Sequence, residues 1–317
     1  MINILVTTCG GAAGINALRL LGNRNVFLYS TDIDINASGK LFSHDFRLIS
    51  PVSNFEQYSK DLKKMIEDWK IDWVVPILPE ELEVIESVVN QTKSKILISP
   101  LETLSICCDK VKFYTWAQKN TPEFCAEWAT LNKWGDIVDI GYNLFLKPSR
   151  GRGSKGCKKI GLADLSEFKD RLIDCGKQKE WIVMEVLPGE EYTVDCYVRK
   201  DGEIKFIVPR QRIQTLGGVC IKGKTEKNDI LINNTKLILE KLNFWGPVCV
   251  QWKKDALGNF KLLEINPRLS GGCMITAVAG ADATRCFIQE IQGTNDKVDW
   301  DETVVLGYND YRVDWSK

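Results

Sequence analysis

Strand and helix alternate through the first hundred residues, and no other feature of the sequence limits the fold as tightly. Ile2 to Thr7 reads as an apolar strand, and Ala12 to Leu21 as a helix that stops at Gly22. A second strand, Val26 to Tyr29, ends in Asp32. Phe55 to Trp69 is the clearest helix, with Phe55, Tyr58, Leu62, Met65, Ile66 and Trp69 on one face. Trp73–Leu78, Leu82–Val89 and Lys95–Ser99 add strand, helix and strand. Such alternation implies an α/β unit, a parallel sheet with helices on its faces.

From Asp109 the pattern changes. A helix at Lys110 to Lys119 leads into a short mixed segment and then into "NLFLKPSRGRGSKGCKKIG", residues 143–161. Ser166–Cys175 reads as a helix and Trp181–Leu187 as a strand. Tyr192–Val198 and Ile204–Val208 form a hairpin across Asp201-Gly202, a strong turn signal. After a helix at Ile230–Leu242, a second hairpin pairs Val248–Lys254 with Phe260–Ile265 around Asp255–Gly258. Strands joined by hairpins make this part α+β, and there is no internal repeat or low-complexity linker.

Charge excludes some functions. The 317 residues hold 42 Lys+Arg and 42 Asp+Glu, so a nucleic-acid binder's basic excess is missing. No run approaches the ~20 apolar residues of a membrane span, and "MINILVTTCGG" lacks the features of a secretory signal. The eleven cysteines contain no C-x-x-C pair, which suits free thiols and a cytoplasmic location. A single histidine, His44, leaves little for Ser-His or multi-histidine zinc chemistry.

Two glycine-rich turns stand out. "TTCGGAAG" joins a strand to a helix, with Asp32 ending the next strand, like a dinucleotide fingerprint; but Cys9 takes the first glycine position. Tight packing, a substrate contact through Gly10 and Gly11, and nicotinamide binding are its three readings. The second turn, "SRGRGSKG", lacks the Gly-Lys-Ser/Thr ending of a P-loop, yet Gly151, Gly153 and Gly156 expose amides, Ser154 adds a hydroxyl, and the cations add charge. That composition suits phosphate, as it also suits a solvated hairpin. Beyond it, "WIVMEVLPGEEYTVD" offers an interrupted strand at Glu185, Val186 and Leu187 for a flat base, and Glu191 for ribose hydroxyls. Glu190 and Glu191 fit a solvated strand edge equally well.

"VCVQWKKDALGNFKLLEINPRLSGG" is the most informative stretch. A four-residue loop would set Lys254 opposite Asn259 and Gln251 opposite Leu262, with Gln251, Glu264 and Asn266 on one face. Oxygen-only ligands of this kind suit Mg²⁺ shared with water and phosphate, and Arg268 follows with a guanidinium fork. A buried hydrogen-bonded network is the alternative.

On these motifs the sequence resembles an ATP-grasp enzyme, closest in style to a synthetase unit of the carbamoyl phosphate synthetase large subunit. The resemblance runs from the N-terminal α/β part through "CDKVKFYTWAQKNTPEF" and "FLKPSRGRGSKG" to "EVLPGEEYTVD" and "LLEINPRLSGG". It implies a Rossmann-like pre-ATP-grasp domain at 1–105, a lid subdomain at 106–183 and a C-terminal subdomain at 184–317. Lys110 and Lys147 would contact ATP phosphates, and the loop with Gly151, Gly153, Ser154 and Gly156 would close over them. Glu185, Val186 and Leu187 would meet adenine, and Glu191 the ribose. Gln251, Glu264 and Asn266 would hold Mg²⁺, with Mn²⁺ as the alternative, and Arg268, with Lys147, would act on the transferring phosphate. Gly10, Gly11, Arg210, Arg212, Ser270 and Gly271, with Lys222 more loosely, would line the substrate site. With one unit and no extension after Arg268 like that of biotin carboxylase, neither carbamoyl phosphate synthesis nor that carboxylase fits the pattern.

The activity implied is an ADP-forming ligase joining a small-molecule carboxylate to an amine. A small-molecule kinase on the same fold and a non-catalytic ATP-binding module are the rivals. Small-molecule substrates, no nucleic acid, no membrane and a homodimer complete the expectation.

Overall fold

The computed structural model describes residues 1–131, 133, 143–151, 153, 156–161, 164, 165, 167, 168, 170 and 181–306. The chain begins with five parallel strands, β1 (Ile2–Val6), β2 (Val26–Asp32), β3 (Asp45–Leu48), β4 (Trp73–Val75) and β5 (Lys95–Ile96), ordered β3-β2-β1-β4-β5. Alternate residues of β1 feed two different cores. Ile4 and Val6 pack with α1 (Ala12–Leu21), and Leu5 packs with α2 (Phe55–Asp68) and α3 (Leu82–Val89). The sheet is therefore covered on both faces, as strand-helix alternation requires. The amphipathic face of α2 buries Tyr58, Leu62, Met65 and Ile66, and the Asn54 side chain caps its start. Strand β4 is shorter than the apolar run suggests, because Pro76 has no N–H for the ladder.

Helices α4 (Leu101–Cys107) and α5 (Lys110–Asn120) lead to an antiparallel sheet of β6 (Trp128–Thr130), β7 (Asn143–Pro148), β8 (Lys158–Gly161) and β9 (Trp181–Glu185), ordered β6-β9-β7-β8. Asp109 starts α5 by accepting hydrogen bonds from the backbone N–H groups of Val111 and Lys112. The helix read at Ser166–Cys175 falls largely outside the described residues.

The third sheet is antiparallel: β10 (Glu191–Val198), β11 (Ile204–Leu216), β12 (Val219–Thr225), β13 (Gly246–Lys254), β14 (Phe260–Asn266) and β15 (Val305–Leu306), ordered β14-β13-β10-β11-β12-β15. It packs with both other sheets. Cys196 of β10 joins a core containing Tyr114, Ile182 and Met184, while its neighbour Tyr197 joins one containing Ile4, Val6 and Leu28. Helices α6 (Asp229–Lys241), α7 (Cys273–Val278) and α8 (Ala283–Gln292) complete the cores. Among the described residues no helix is long and apolar enough to cross a membrane.

Two expectations need correction. Strand β11 does not stop at Val208; it continues to Leu216 and turns at Gly217-Gly218, both at positive φ, into β12. In the β13–β14 hairpin Lys254 faces Phe260, not Asn259, so the loop has five residues. A bulge then shifts the register so that Gln251 lies opposite Glu264, not Leu262. The burial pattern of β14 shows it, with Leu263 and Glu264 both half-buried between buried Leu262 and Ile265.

Candidate nucleotide and substrate cleft

The bulge at Leu263 shapes the floor of the cleft. It puts Glu264 directly across from Gln251, and Asn266 follows two residues later on the same face of β14. Glu264 Oε1 accepts a hydrogen bond from Asn266 Nδ2 at 2.9 Å, and Asn266 Oδ1 accepts one from Arg268 Nη2 at 3.2 Å. Arg268 Nη1 donates to Leu269 O at 2.8 Å, and its Nε has no partner. One carboxylate and two amide oxygens form a hard-oxygen donor set with capacity left over. That chemistry fits Mg²⁺ held jointly with water and phosphate. No cluster of three or more His, Cys, Asp or Glu suited to a metal occurs among the described residues.

Lys147 is buried at the end of β7, only 7% exposed, with Nζ donating to the Tyr114 hydroxyl at 3.2 Å. Burial pushes its pKa below the ordinary lysine value, and the nearby Glu264 carboxylate pulls it back part of the way. Tyr114 donates in turn to Leu263 O at 3.0 Å, so one phenol ties the buried lysine to the bulge. Burial raises that phenol's pKa, which keeps it protonated as a donor. Lys110 starts α5 and donates from Nζ to Gly151 O at 3.1 Å; burial lowers its pKa as well.

Lys110, Lys147, Gly151, Gly153, Glu185, Val186, Leu187, Glu191, Gln251 and Glu264 line one cleft between the two antiparallel sheets. Gly156 does not line it; its backbone packs against Pro148 and Trp181. Ser154 lies outside the described residues. Glu191 is not a solvated edge residue: it pairs with Arg212 Nε at 3.0 Å and with Lys253 Nζ at 3.6 Å. Glu190 points elsewhere, to Lys254 Nζ at 2.7 Å and Gln211 Nε2 at 2.8 Å.

The cleft opens into a second, larger cavity, and Lys110, Gln251 and Glu264 border both. Gly11, Arg210, Arg212, Asn266, Arg268, Ser270 and Gly271 line the second one. Gly10 lines neither, because its N–H donates to Asp32 Oδ2 at 2.7 Å. Asp32 is buried, and its other oxygen accepts from Asp34 N at 3.0 Å. Both oxygens already serve the turn, which weakens the nicotinamide reading, where this acid would take a ribose. Lys222, on β12, faces Gln214 of β11 and lines neither cavity.

Sequence reasoning missed several cleft residues. Tyr114 sits one helical turn after Lys110 and had that spacing as a signal. Gly217 and Gly218 form the turn that meets the loop after β7; a Cβ on Gly218 would lie 3.0 Å from Gly153 Cα. Arg150 borders both cavities and pairs with Asp109 at 3.4 Å.

A family model described as ATP-grasp in the biosynthetic pathway with Ter operon matches residues 177–311. No curated protein matches the sequence. Among solved structures, N5-carboxyaminoimidazole synthetase from Staphylococcus aureus complexed with ADP superposes with a TM-score of 0.75 at 14% identity, covering 94% of this chain and 80% of that one. The biotin carboxylase domain of Hydrogenobacter thermophilus 2-oxoglutarate carboxylase, in complex with MgADP, ADP and bicarbonate, gives 0.73 at 12% identity, covering 95% and 72%. Biotin carboxylase from Campylobacter jejuni gives 0.71 at 16% identity, covering 96% and 74%. With three sheets in this arrangement, the matched family segment and the "EINPR" strand end, the chain has the ATP-grasp fold, resembling a single synthetase unit of the carbamoyl phosphate synthetase large subunit.

Proposed function

We propose that this chain is an ADP-forming ligase that joins a small-molecule carboxylate to an amine. ATP occupies the smaller cleft, with adenine against Glu185, Val186 and Leu187, ribose at Glu191, and phosphates at Lys110, Lys147 and the Gly151–Gly156 loop. Mg²⁺, held by Gln251, Glu264 and Asn266, neutralises phosphate charge when bound; Mn²⁺ fits the same oxygen set. The substrate carboxylate lies in the larger cavity and attacks the γ-phosphorus, releasing ADP and forming an acyl phosphate. An amine then attacks the acyl carbon, and inorganic phosphate leaves. Arg268 stabilises charge on the transferring phosphoryl group, and alignment supplies most of the remaining rate. In this reading residues 1–105 close the substrate side, 106–183 form the lid, and 184–317 hold the nucleotide and the metal.

One observation carries the proposal. The Gln251–Glu264–Asn266–Arg268 set stands where a nucleotide-sized cleft meets a second, larger cavity. A kinase also needs room for its acceptor, but a ligase must in addition hold an amine and shield an acyl phosphate until it attacks, which the larger cavity suits. The ADP and MgADP complexes of the similar structures support the placement of nucleotide. The test is ADP release screened over pools of carboxylates and amines, with hydroxylamine replacing the amine. The expected result is ADP, inorganic phosphate and a trapped hydroxamate. Phosphate retained on a stable product would make it a kinase, and AMP with pyrophosphate would end the ligase reading.

A further inference from the structure

Helix α1 starts without a cap. Its ten residues begin after Gly11, which has extended φ and ψ, no side-chain cap and no acidic residue in the following turn. The first N–H groups of a helix have no partner within it, so Ala12, Ala13 and Gly14 carry donors that need an acceptor. Gly11, Ala12 and Ala13 line the larger cavity. The turn at Ser270–Gly272 meets the same helix end: Asn16 Nδ2 donates to Gly271 O at 3.1 Å, and a Cβ on Gly271 would lie 3.5 Å from Ala12 Cβ.

Beneath that turn lies an independent signal. Arg210 is 1% exposed and lines this cavity. Its Nε pairs with Asp195 Oδ2 at 2.8 Å and its Nη2 donates to Ser270 Oγ at 2.9 Å, while Nη1 has no partner. Only glycine fits above it, since a Cβ on Gly272 would stand 2.8 Å from Nη1. A buried guanidinium with a spare donor is costly, and its own carboxylate satisfies only one edge. The uncapped helix end and the buried guanidinium thus border the same cavity, joined through the Ser270–Gly272 turn.

We infer that this end of the cavity, from the α1 N-terminus to Arg210 and Ser270, binds a second anionic group of the substrate, a carboxylate or a phosphate distinct from the carboxylate that ATP activates. The group must be a second one because of where it sits. Gln251 and Glu264 border both cavities, so the reacting carboxylate belongs at that shared boundary. Gly11, Ala12, Arg210 and Ser270 border the larger cavity only. Helix N-termini favour anions through oriented amides and the helix dipole. The substrate class is therefore a carboxylate with an anionic group at its far end. This assignment rests on the ligase reading for its reacting end, but the anion site itself does not need it.

Calorimetric titration of the full chain with glutarate, 3-phosphopropionate and butyrate tests the site, and Mg-ATP is titrated into the same samples. At least one dianion is expected to bind about tenfold or more tightly than butyrate, and the preferred one identifies the head group. Gly11→Asp should erase that preference. Gly11 has negative φ, and a Cβ there meets only Thr8 O at 4.0 Å, so the new side chain fits. It should cap α1 and raise the melting temperature while occupying the anion position. Mg-ATP affinity should not change. Equal binding of dianions and butyrate by the wild-type chain overturns the inference without any variant, as does a preference that survives Gly11→Asp. Absence of Mg-ATP binding by the wild-type chain, with its dianion preference present, would instead remove the ligase reading and leave the anion site standing.

Discussion

Two glycine-rich turns border the cleft, and they use glycine for opposite reasons. After β1, glycine permits contact. A Cβ on Gly14 would sit 2.3 Å from Thr8 O, and one on Gly39, which packs on this turn from the segment after β2, would sit 2.0 Å from Cys9 O. Neither has positive φ; the strained residue there is Thr8, at φ +49°. Its hydroxyl donates to the buried Glu81 carboxyl at 2.6 Å, which helps hold it in place. After β7, glycine permits rotation. Gly151, Gly153 and Gly156 have φ of +125°, +62° and +77°, and Gly151 has nothing within 4 Å of a Cβ position. One turn is a packed joint. The other is an open loop with donors to offer.

The largest expected effect lies between the two turns. Arg268→Ala should lower turnover by ~10²-fold or more and leave Mg-ATP affinity within a few-fold, because its guanidinium acts on charge that develops during transfer. Single-turnover ADP release against a calorimetric Kd separates the two quantities. A fully active variant would remove Arg268 from the chemistry.

The next effect is on stability and tests the contrast directly. Gly14→Ala forces a methyl into the Thr8 carbonyl and should cost roughly 1–3 kcal/mol. Gly151→Ala meets no atoms, but an L residue held at φ +125° is strained and should cost a similar amount, roughly 1–3 kcal/mol; Gly151, unlike Gly14, lines the nucleotide cleft. Its penalty should appear in Mg-ATP affinity. Urea denaturation of both variants, with nucleotide titration, decides the matter. An equal change of Mg-ATP affinity in the two variants would mean that the two turns are not different in kind.

This contrast also marks what the sequence could reveal. Alternating strand and helix made the parallel sheet legible, because a strand buried on both faces needs apolar residues throughout. The side chains read as cleft residues were legible where their polarity was out of place, as with Gln251 and Glu264 in otherwise apolar strands. What stayed hidden depended on geometry without a compositional mark. The bulge at Leu263 follows from pairing across two strands and cannot be seen in either one. Strand β11 was cut short because Arg210, Gln211, Arg212 and Gln214 look like loop, although Arg210 is among the most buried residues in the chain. Both turns are rich in glycine, so only the coordinates separate close contact from positive φ.

A smaller effect should be seen in proteolysis. The Arg150 side chain is 71% exposed and sits at the mouth of both cavities. Saturating Mg-ATP should slow trypsin cleavage after Arg150 several-fold, as phosphate contacts order the loop. Equal rates at Arg150 with and without nucleotide would count against closure.

The smallest effect is a pH dependence confined to the open side of the cleft. Burial lowers the pKa of Lys147 below 10.5, and Glu264 only partly offsets it. In the free protein the unfolded chain therefore keeps this proton to higher pH than the folded one. Between the two pKa values the unfolded state binds more protons, so this group makes stability rise with pH there. Nucleotide reverses the balance. A phosphate beside Lys147 favours its charged form, so binding takes up a proton once pH approaches the lowered pKa. Mg-ATP affinity should then weaken as pH rises from neutrality toward 10.5, by roughly tenfold at most, or ~1.4 kcal/mol. Lys110, lowered by burial too, should add to the same trend. Lys147→Met should bind Mg-ATP more weakly and flatten the profile, while Gly11→Asp, on the other side of the cleft, should leave its shape unchanged. A flat wild-type profile would show that Lys147 keeps its proton through this range and that burial does not set its charge.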